Sequence, residues 1–80
     1  MLRGEILKSY RLSVVVQKDA DGYYAFCPEL QGCYTQGESY GEVMKNIEDA
    51  IRLHLQDRIE KGEDIPAFES VTLTSMEVTI

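Results

Sequence analysis

Residues 12–26 read LSVVVQKDADGYYAF, and this stretch decides the fold. Over residues 9–18 apolar and polar side chains alternate, which is the period of a β-strand with one buried face. The Asp21-Gly22 pair then supplies the positive φ angles that a tight hairpin turn needs. A returning strand over residues 23–27 ends at Pro28, because proline has no N–H to donate to a ladder. The stretch therefore predicts an antiparallel hairpin.

A third strand and a helix follow the hairpin. Residues 28–32 have the composition of a second turn, and residues 33–37 predict a short strand that completes an antiparallel meander. Ser39 and Glu42 have the spacing of a capping box, so a helix should begin here. Gly62 is placed to end that helix after residue 61. At 100° per residue the helix carries one apolar stripe, formed by Val43, Met44, Ile47, Ala50, Ile51 and His54.

The residues beyond the helix predict a fourth strand. Pro66 prevents further helix, and residues 71–80 are rich in threonine and valine. The apolar alternation changes parity between Leu73 and Met76, which indicates a bulge or a change of strand partner. The expected order is β-β-β-α-β in one α+β domain over residues 1–80, with a long helix packed on one face of the sheet.

Composition and charge indicate which class of molecule this protein binds. The chain of 80 residues has a formal net charge of −6, which argues against a nucleic-acid binder and favours a basic protein as partner. It has no apolar run near the roughly 20 residues that cross a bilayer, and its first residues do not resemble a secretion signal. We therefore expect a cytoplasmic protein whose two cysteines remain thiols.

The sequence offers no convincing catalytic or metal site. His54 lies in the apolar stripe of the helix, where it is most simply a residue at the edge of the core. Cys27 and Cys33 lack the C-x2-C spacing and the further ligands that a zinc site needs. A metal-dependent nuclease needs carboxylates inside its first strand, and residues 12–16 contain none. The predictions are therefore no enzyme activity, no metal and no cofactor.

The sheet face away from the helix is the more informative surface. Val15, Tyr24 and Phe26 should point away from the helix, and a single sheet with aromatic side chains on its bare face is typical of a partner-binding surface. The alternatives are that these side chains are ordinary surface residues or that the two faces are exchanged. A second apolar surface is predicted to join subunits into a dimer or higher oligomer, and its candidate residues are Leu53, Leu55, Ile59, Met76 and Val78.

Several short motifs, taken in order, resemble the HicB antitoxin family. They are DGYYA at residues 21–25, CPELQGC at residues 27–33, TQGES at residues 35–39, and the Ile65-Pro66 pair after the helix. The resemblance implies a partial RNase H-like fold that lacks the catalytic carboxylates. It also implies a function: HicB proteins neutralise HicA toxins, which are small basic RNA-cleaving proteins, by covering the toxin's active site.

Three acidic residues of the predicted turns are candidates for contact with such a toxin, on their position and charge and not on a family motif. Asp19, Asp21 and Glu29 are predicted at loop tips, where they would face the basic partner. Many members of the family continue into a DNA-binding domain, whereas this sequence stops at Ile80, so we do not expect it to bind DNA directly. A second function remains open, namely an oligomeric small-ligand or regulatory module with the same fold and no toxin partner.

Overall fold

Three antiparallel strands and one long helix form the fold. The structure is a computed structural model and describes residues 8–80. Strands β1 (Val15–Asp19), β2 (Gly22–Phe26) and β3 (Tyr34–Gly37) form one sheet in the order β1-β2-β3. Helix α1 (Tyr40–Glu60) follows β3. The α+β class, the meander and the helix predicted from the sequence are confirmed.

The hairpin turn lies where the sequence predicts it, but of the Asp21-Gly22 pair only Gly22 has a positive φ, so the prediction for Asp21 is wrong. Asp19 and Gly22 are the last paired residues of β1 and β2, and Gly22 has a φ of 133°. The Asp19 carboxylate accepts a hydrogen bond of 2.8 Å from the Asp21 N–H across the turn. A side chain at Gly22 would be strained at this φ, so the turn depends on glycine.

Helix α1 begins at the predicted Ser39 cap, and the Glu42 side chain reaches back one residue beyond that cap, to Glu38. The Ser39 Oγ accepts a hydrogen bond of 3.0 Å from the Glu42 N–H, and the Glu42 carboxylate accepts one of 2.5 Å from the Glu38 N–H. At the other end Gly62 has a φ of 72° and donates its N–H to the Ile59 carbonyl. Both helix ends thus lie where the sequence predicts them.

The core lies between the helix and one face of the sheet. The apolar stripe of α1 supplies the buried Val43 and Ile47, and β2 supplies the buried Ala25. Asn46 fixes the helix to β3 by donating a 2.9 Å hydrogen bond to the Gln36 carbonyl. The remaining fully buried apolar residues come from the loop between β2 and β3, and they are Cys27, Leu30 and Cys33.

Two strand predictions differ from the structure. Of the predicted strand over residues 9–18 only residues 15–18 join the ladder, and β1 continues one residue further to Asp19. The predicted fourth strand over residues 71–80 is wrong for the single chain, because these residues form no strand and every one of them is exposed. Apolar alternation marks a segment that can pair, but a strand exists only where a neighbour accepts its backbone hydrogen bonds.

Candidate functional site

The register of the hairpin separates the two faces of the sheet. Val16 pairs with Ala25, and this pair faces the helix. Val15 pairs with Phe26 and Gln17 pairs with Tyr24. Since neighbouring residues of a strand point to opposite faces, these two pairs lie on the face away from the helix. The predicted assignment of the two faces is confirmed.

Three aromatic rings form a cluster on the face away from the helix. The Tyr24 ring centroid lies 6.0 Å from that of Phe26 and 6.0 Å from that of Tyr34, with tilted planes in both pairs. Tyr34 is 60% exposed and pairs with Phe26 across the β2–β3 ladder. We call Val15, Tyr24, Phe26 and Tyr34 the aromatic face. Its rings support one another, so a contacting surface would meet a preformed apolar platform.

An acidic groove adjoins the aromatic face at the hairpin end of the sheet. It has a volume of about 820 Å³, and Tyr24 lines it as well as the aromatic face. Four carboxylate residues line this groove, namely Asp19, Asp21, Glu38 and Glu42. Lys18 is the single basic residue in its lining, and its Nζ lies 5.7 Å from the centroid of the Tyr23 ring. The predicted Asp19 and Asp21 therefore belong to a larger negative surface.

Two members of this groove, Glu38 and Glu42, were missed by the sequence analysis. Glu42 was interpreted only as a helix-capping residue, which it is. The capping box places it within the groove that also contains Asp19 and Asp21. The signal in the sequence was the high acidic content of both the hairpin tip and the start of the helix. What brings the two together is the meander.

Glu29 does not lie at an exposed loop tip, so that expectation is wrong. Its side chain is buried, and its carboxylate accepts hydrogen bonds from the Ser13 N–H (3.0 Å) and the Ser13 Oγ (2.8 Å). The Cys27 Sγ lies 3.6 Å from the same carboxylate. Burial by itself would raise the pKa of Glu29, but the hydrogen bonds from Ser13, together with those from the Glu29 backbone and the Cys27 thiol, outweigh it and lower the pKa below the ordinary value. Glu29 is thus a charged internal anchor.

The two cysteines are buried core residues at the two ends of the loop between β2 and β3. Backbone bonds of 3.0 Å from Cys27 N to Cys33 O and of 3.1 Å from Cys33 N to Leu30 O close this loop. Both thiols are free and buried. Burial raises the pKa of Cys27 to about 11, and it raises the pKa of Cys33 as well. Both groups are therefore protonated at neutral pH and poor nucleophiles.

The structure shows no other chemical centre in the part of the chain that it describes. Within residues 8–80, no group of three or more histidine, cysteine, aspartate and glutamate side chains is arranged to hold a metal ion. His54 is half-buried on α1, as the apolar stripe predicts. Over the same residues, no helix has both the length and the apolar content to cross a membrane.

The residues predicted to join subunits fall into different environments. Leu53 and Ile59 are exposed on α1, at 66% and 54%. Leu55 is half-buried and packs against the core, and its assignment to a second apolar surface stays a prediction. Met76 and Val78 are exposed beyond the helix. A role for the exposed four in oligomer formation stays a prediction.

The fold and the site define a class of protein: a small α+β domain in which one helix backs a three-stranded meander and the other sheet face presents an aromatic surface beside an acidic groove. Residues 12–78 match the family model of the HicB-like antitoxin of bacterial toxin-antitoxin systems. This match covers most of the chain, and the protein belongs to that family.

Relatives and a solved structure agree with this assignment. The chain is 40% identical over 58 residues to the UPF0150 protein ssr1765 of Synechocystis sp., covering 71% of this chain and 73% of the relative. It is 37% identical over 65 residues to the UPF0150 protein Ta0767 of Thermoplasma acidophilum, covering 80% and 94%. A chain in a solved structure of the HicA3 and HicB3 toxin-antitoxin complex has the same fold, with a TM-score of 0.60, 21% identity, and coverage of 76% of this chain and 72% of that one.

Proposed function

We propose that this protein is a cytoplasmic antitoxin that neutralises a small, basic, HicA-like RNA-cleaving toxin by covering the toxin's active site. Membership of the HicB-like antitoxin family supports the antitoxin role. The similarity of fold to a chain in a complex of HicA3 and HicB3 is compatible with a HicA-like partner.

The aromatic face is the observation that carries the proposal. Tyrosine and phenylalanine are enriched at the centres of protein interfaces, because they bring a large contact area at a low cost in side-chain entropy. Tyr24, Phe26 and Tyr34 form one cluster, and the helix that covers the opposite face does not reach them. A partner that covers this cluster would bury apolar surface that the described part of the chain leaves partly in water.

The acidic groove supplies the complementary charge. Four carboxylates at the hairpin end of the sheet face a basic toxin with the opposite sign, which accelerates the encounter and suppresses binding to acidic competitors. Tyr24 is shared by the groove and the aromatic face, so one basic partner would contact both surfaces. We therefore expect the aromatic face to contribute most of the affinity and the groove to contribute most of the association rate.

The proposed action requires binding and no chemistry from this chain. An RNA-cleaving toxin needs access to its substrate, and a protein that occupies its active site stops cleavage without catalysing anything. The thiols are consistent with such a role, since Cys27 has a pKa of about 11 and belongs to the core.

The decisive experiment combines a binding assay with an RNA-cleavage assay. The partner is a purified small, basic HicA-like protein from the same organism, and its RNA cleavage is measured with and without one equivalent of this protein. We expect stoichiometric inhibition by the unaltered chain. Phe26→Asp should weaken binding by at least about tenfold, which corresponds to about 1.4 kcal/mol, because it places a charge in the aromatic cluster.

The matched control is Gln56→Asp, which introduces the same charge on an exposed position of the helix. This variant should inhibit the toxin as the unaltered chain does. If Phe26→Asp inhibited the toxin with unaltered affinity, the aromatic face would not be part of the interface. Absence of any binding by the unaltered chain would favour the alternative of an oligomeric ligand-binding or regulatory module.

A further inference from the structure

Two stretches with the sequence pattern of a strand lack a ladder partner in the described part of the chain. The first is residues 9–14, which continue the alternation of β1 but lie outside the ladder. The second is residues 71–80, whose apolar side chains are all exposed: Leu73 and Met76 at 81%, Val78 at 71%. We call residues 71–80 the exposed segment. It is rich in threonine and valine, the residues that favour strands.

The free edge of the sheet beside β1 matches the exposed segment in length. In the order β1-β2-β3, β1 pairs with β2 on one side, and no described residue pairs with it on the other. A ten-residue strand extends about 33 Å, and residues 9–18 extend equally far. Apolar edge strands left unpaired in this way are templates for another strand.

Charge distinguishes this edge from the edge at β3. Residues 8–18 carry three basic side chains, namely Lys8, Arg11 and Lys18, and no acidic one. Residues 67–80 carry two acidic side chains, Glu69 and Glu77, and no basic one. In contrast, Tyr34–Gly37 has no charge and leads into Glu38. The opposite charges favour pairing of the exposed segment with the β1 edge.

The single chain does not bring its own segment to that edge. The molecule measures 60 × 28 × 18 Å, whereas the 21 residues of α1 extend only about 31 Å. All ten residues of the exposed segment are exposed, none of them pairs with β1, and none belongs to the core cluster. A second copy of the chain is therefore the occupant that fits the edge by length, charge and strand propensity.

We infer that the exposed segment of one copy adds as a strand to the β1 edge of a second copy, and that the exchange is reciprocal in a two-fold dimer. The segment's two parities then have separate roles. One set of apolar side chains extends the face that contacts the helix, and the other set extends the aromatic face. The exchange lengthens β1 towards residue 9 and converts the exposed segment into the fourth strand.

Cysteine cross-linking between two distinguishable copies tests the exchange. One copy carries Arg11→Cys and an affinity tag, and the other carries either Glu77→Cys or Glu69→Cys without a tag. All three positions are exposed, whereas the native Cys27 and Cys33 are buried thiols that mild oxidation does not reach. An antiparallel register that lays residues 70–79 along residues 9–18 places Glu77 opposite Arg11. A parallel register that lays residues 71–76 along residues 13–18 places Glu69 opposite Arg11, so both mixtures are oxidised and compared.

We expect one of the two mixtures to give a disulfide-linked pair of tagged and untagged chains, at least fivefold above the control. The control mixes Arg11→Cys with Glu60→Cys, an exposed position on α1 with the same charge change. Cross-linking at the control level in both mixtures would overturn the inference. So would a double variant, Arg11→Cys with Glu77→Cys or with Glu69→Cys, that forms its disulfide within one chain while remaining monomeric.

Charge reversal provides a second readout in the full chain. Glu77→Lys should raise the dimer dissociation constant by about three- to tenfold in sedimentation equilibrium at low salt, and adding Arg11→Glu should restore part of it. Glu60→Lys is the matched control and should leave the constant unchanged. A monomer at every concentration of the unaltered chain would refute the dimer.

Discussion

Along residues 24–26 of β2, the side chain on the face that the helix covers is small, and the two on the other face are large. On the face that α1 covers, β2 presents Ala25, which is small and fully buried against Val43 and Ile47. On the other face the same strand presents Tyr24 and Phe26, which no element of the described chain covers. Small side chains allow the helix to approach the sheet closely, and large ones provide contact area for a surface that arrives later. Alternate residues of one strand thus serve stability on one face and, in the proposed function, recognition on the other.

The largest expected effect comes from breaking the covered face. Ile47→Ala should lower the free energy of unfolding by about 2–5 kcal/mol, because it removes buried methyl groups and leaves a cavity under the helix. Urea denaturation followed by circular dichroism measures this change. Tyr34→Ala, on the aromatic face, removes a larger side chain and should cost less than about 0.5 kcal/mol, since Tyr34 is 60% exposed. Equal losses of unfolding free energy in the two variants would mean that the aromatic face contributes as much to stability as the covered face does.

The second effect concerns Glu29, the internal anchor whose buried carboxylate accepts hydrogen bonds from Ser13. Glu29→Gln should lower the free energy of unfolding at pH 7 by about 1.5–3 kcal/mol, because it removes the charge from the hydrogen bonds that Ser13 donates. The folded pKa of Glu29 lies below its ordinary value of 4.5. This stabilisation is therefore present above pH 4.5 and is lost as the pH falls through the folded pKa.

Urea titrations at several pH values between 2 and 7 test this dependence. The difference between the unaltered chain and Glu29→Gln should shrink at low pH, where both side chains are neutral. Glu48→Gln is the matched control, because Glu48 pairs with Arg52 on the surface and should change stability by less than about 1 kcal/mol at any pH. A difference that stays constant down to pH 2 would contradict an ionised anchor.

The third prediction compares two glycines: Gly37, where β3 closely approaches the start of the helix, and Gly41, which has free space around it. A Cβ atom at Gly37 would lie 2.7 Å from the Val43 backbone nitrogen, so β3 and the start of the helix would have to separate. Gly37→Ala should cost about 1–3 kcal/mol. At Gly41, in the first turn of α1, the added atom meets nothing within 4 Å, and Gly41→Ala should stabilise by about 0.5–1 kcal/mol. Thermal unfolding of the two variants should show melting temperatures shifted in opposite directions.

The elements that the sequence predicted well are those with local causes. The hairpin turn follows from Asp21-Gly22, the start of the helix from Ser39 and Glu42, and its end from Gly62. The two faces of β2 follow from a period of two. Each of these features depends on residues within a few positions of one another, so one sequence without structure suffices to place them.

The features that the sequence analysis misplaced depend on distant partners. Glu29 resembled an exposed acid at a turn, but its partner Ser13 is 16 positions away and draws the carboxylate into the interior. The acidic groove was only half identified, because its members come from the hairpin tip and from the beginning of the helix.

The order of residues alone determined the meander, both ends of the helix and the opposite character of the two sheet faces, because turn residues, caps and periodicity act over a few positions. Tertiary structure alone decided that Glu29 is an internal anchor, that four carboxylates share one groove, and that residues 71–80 find no strand partner among residues 8–80. The physical reason is that hydrogen bonds and ladders between distant residues depend on where the backbone brings their partners, and local pattern carries no information about that distance.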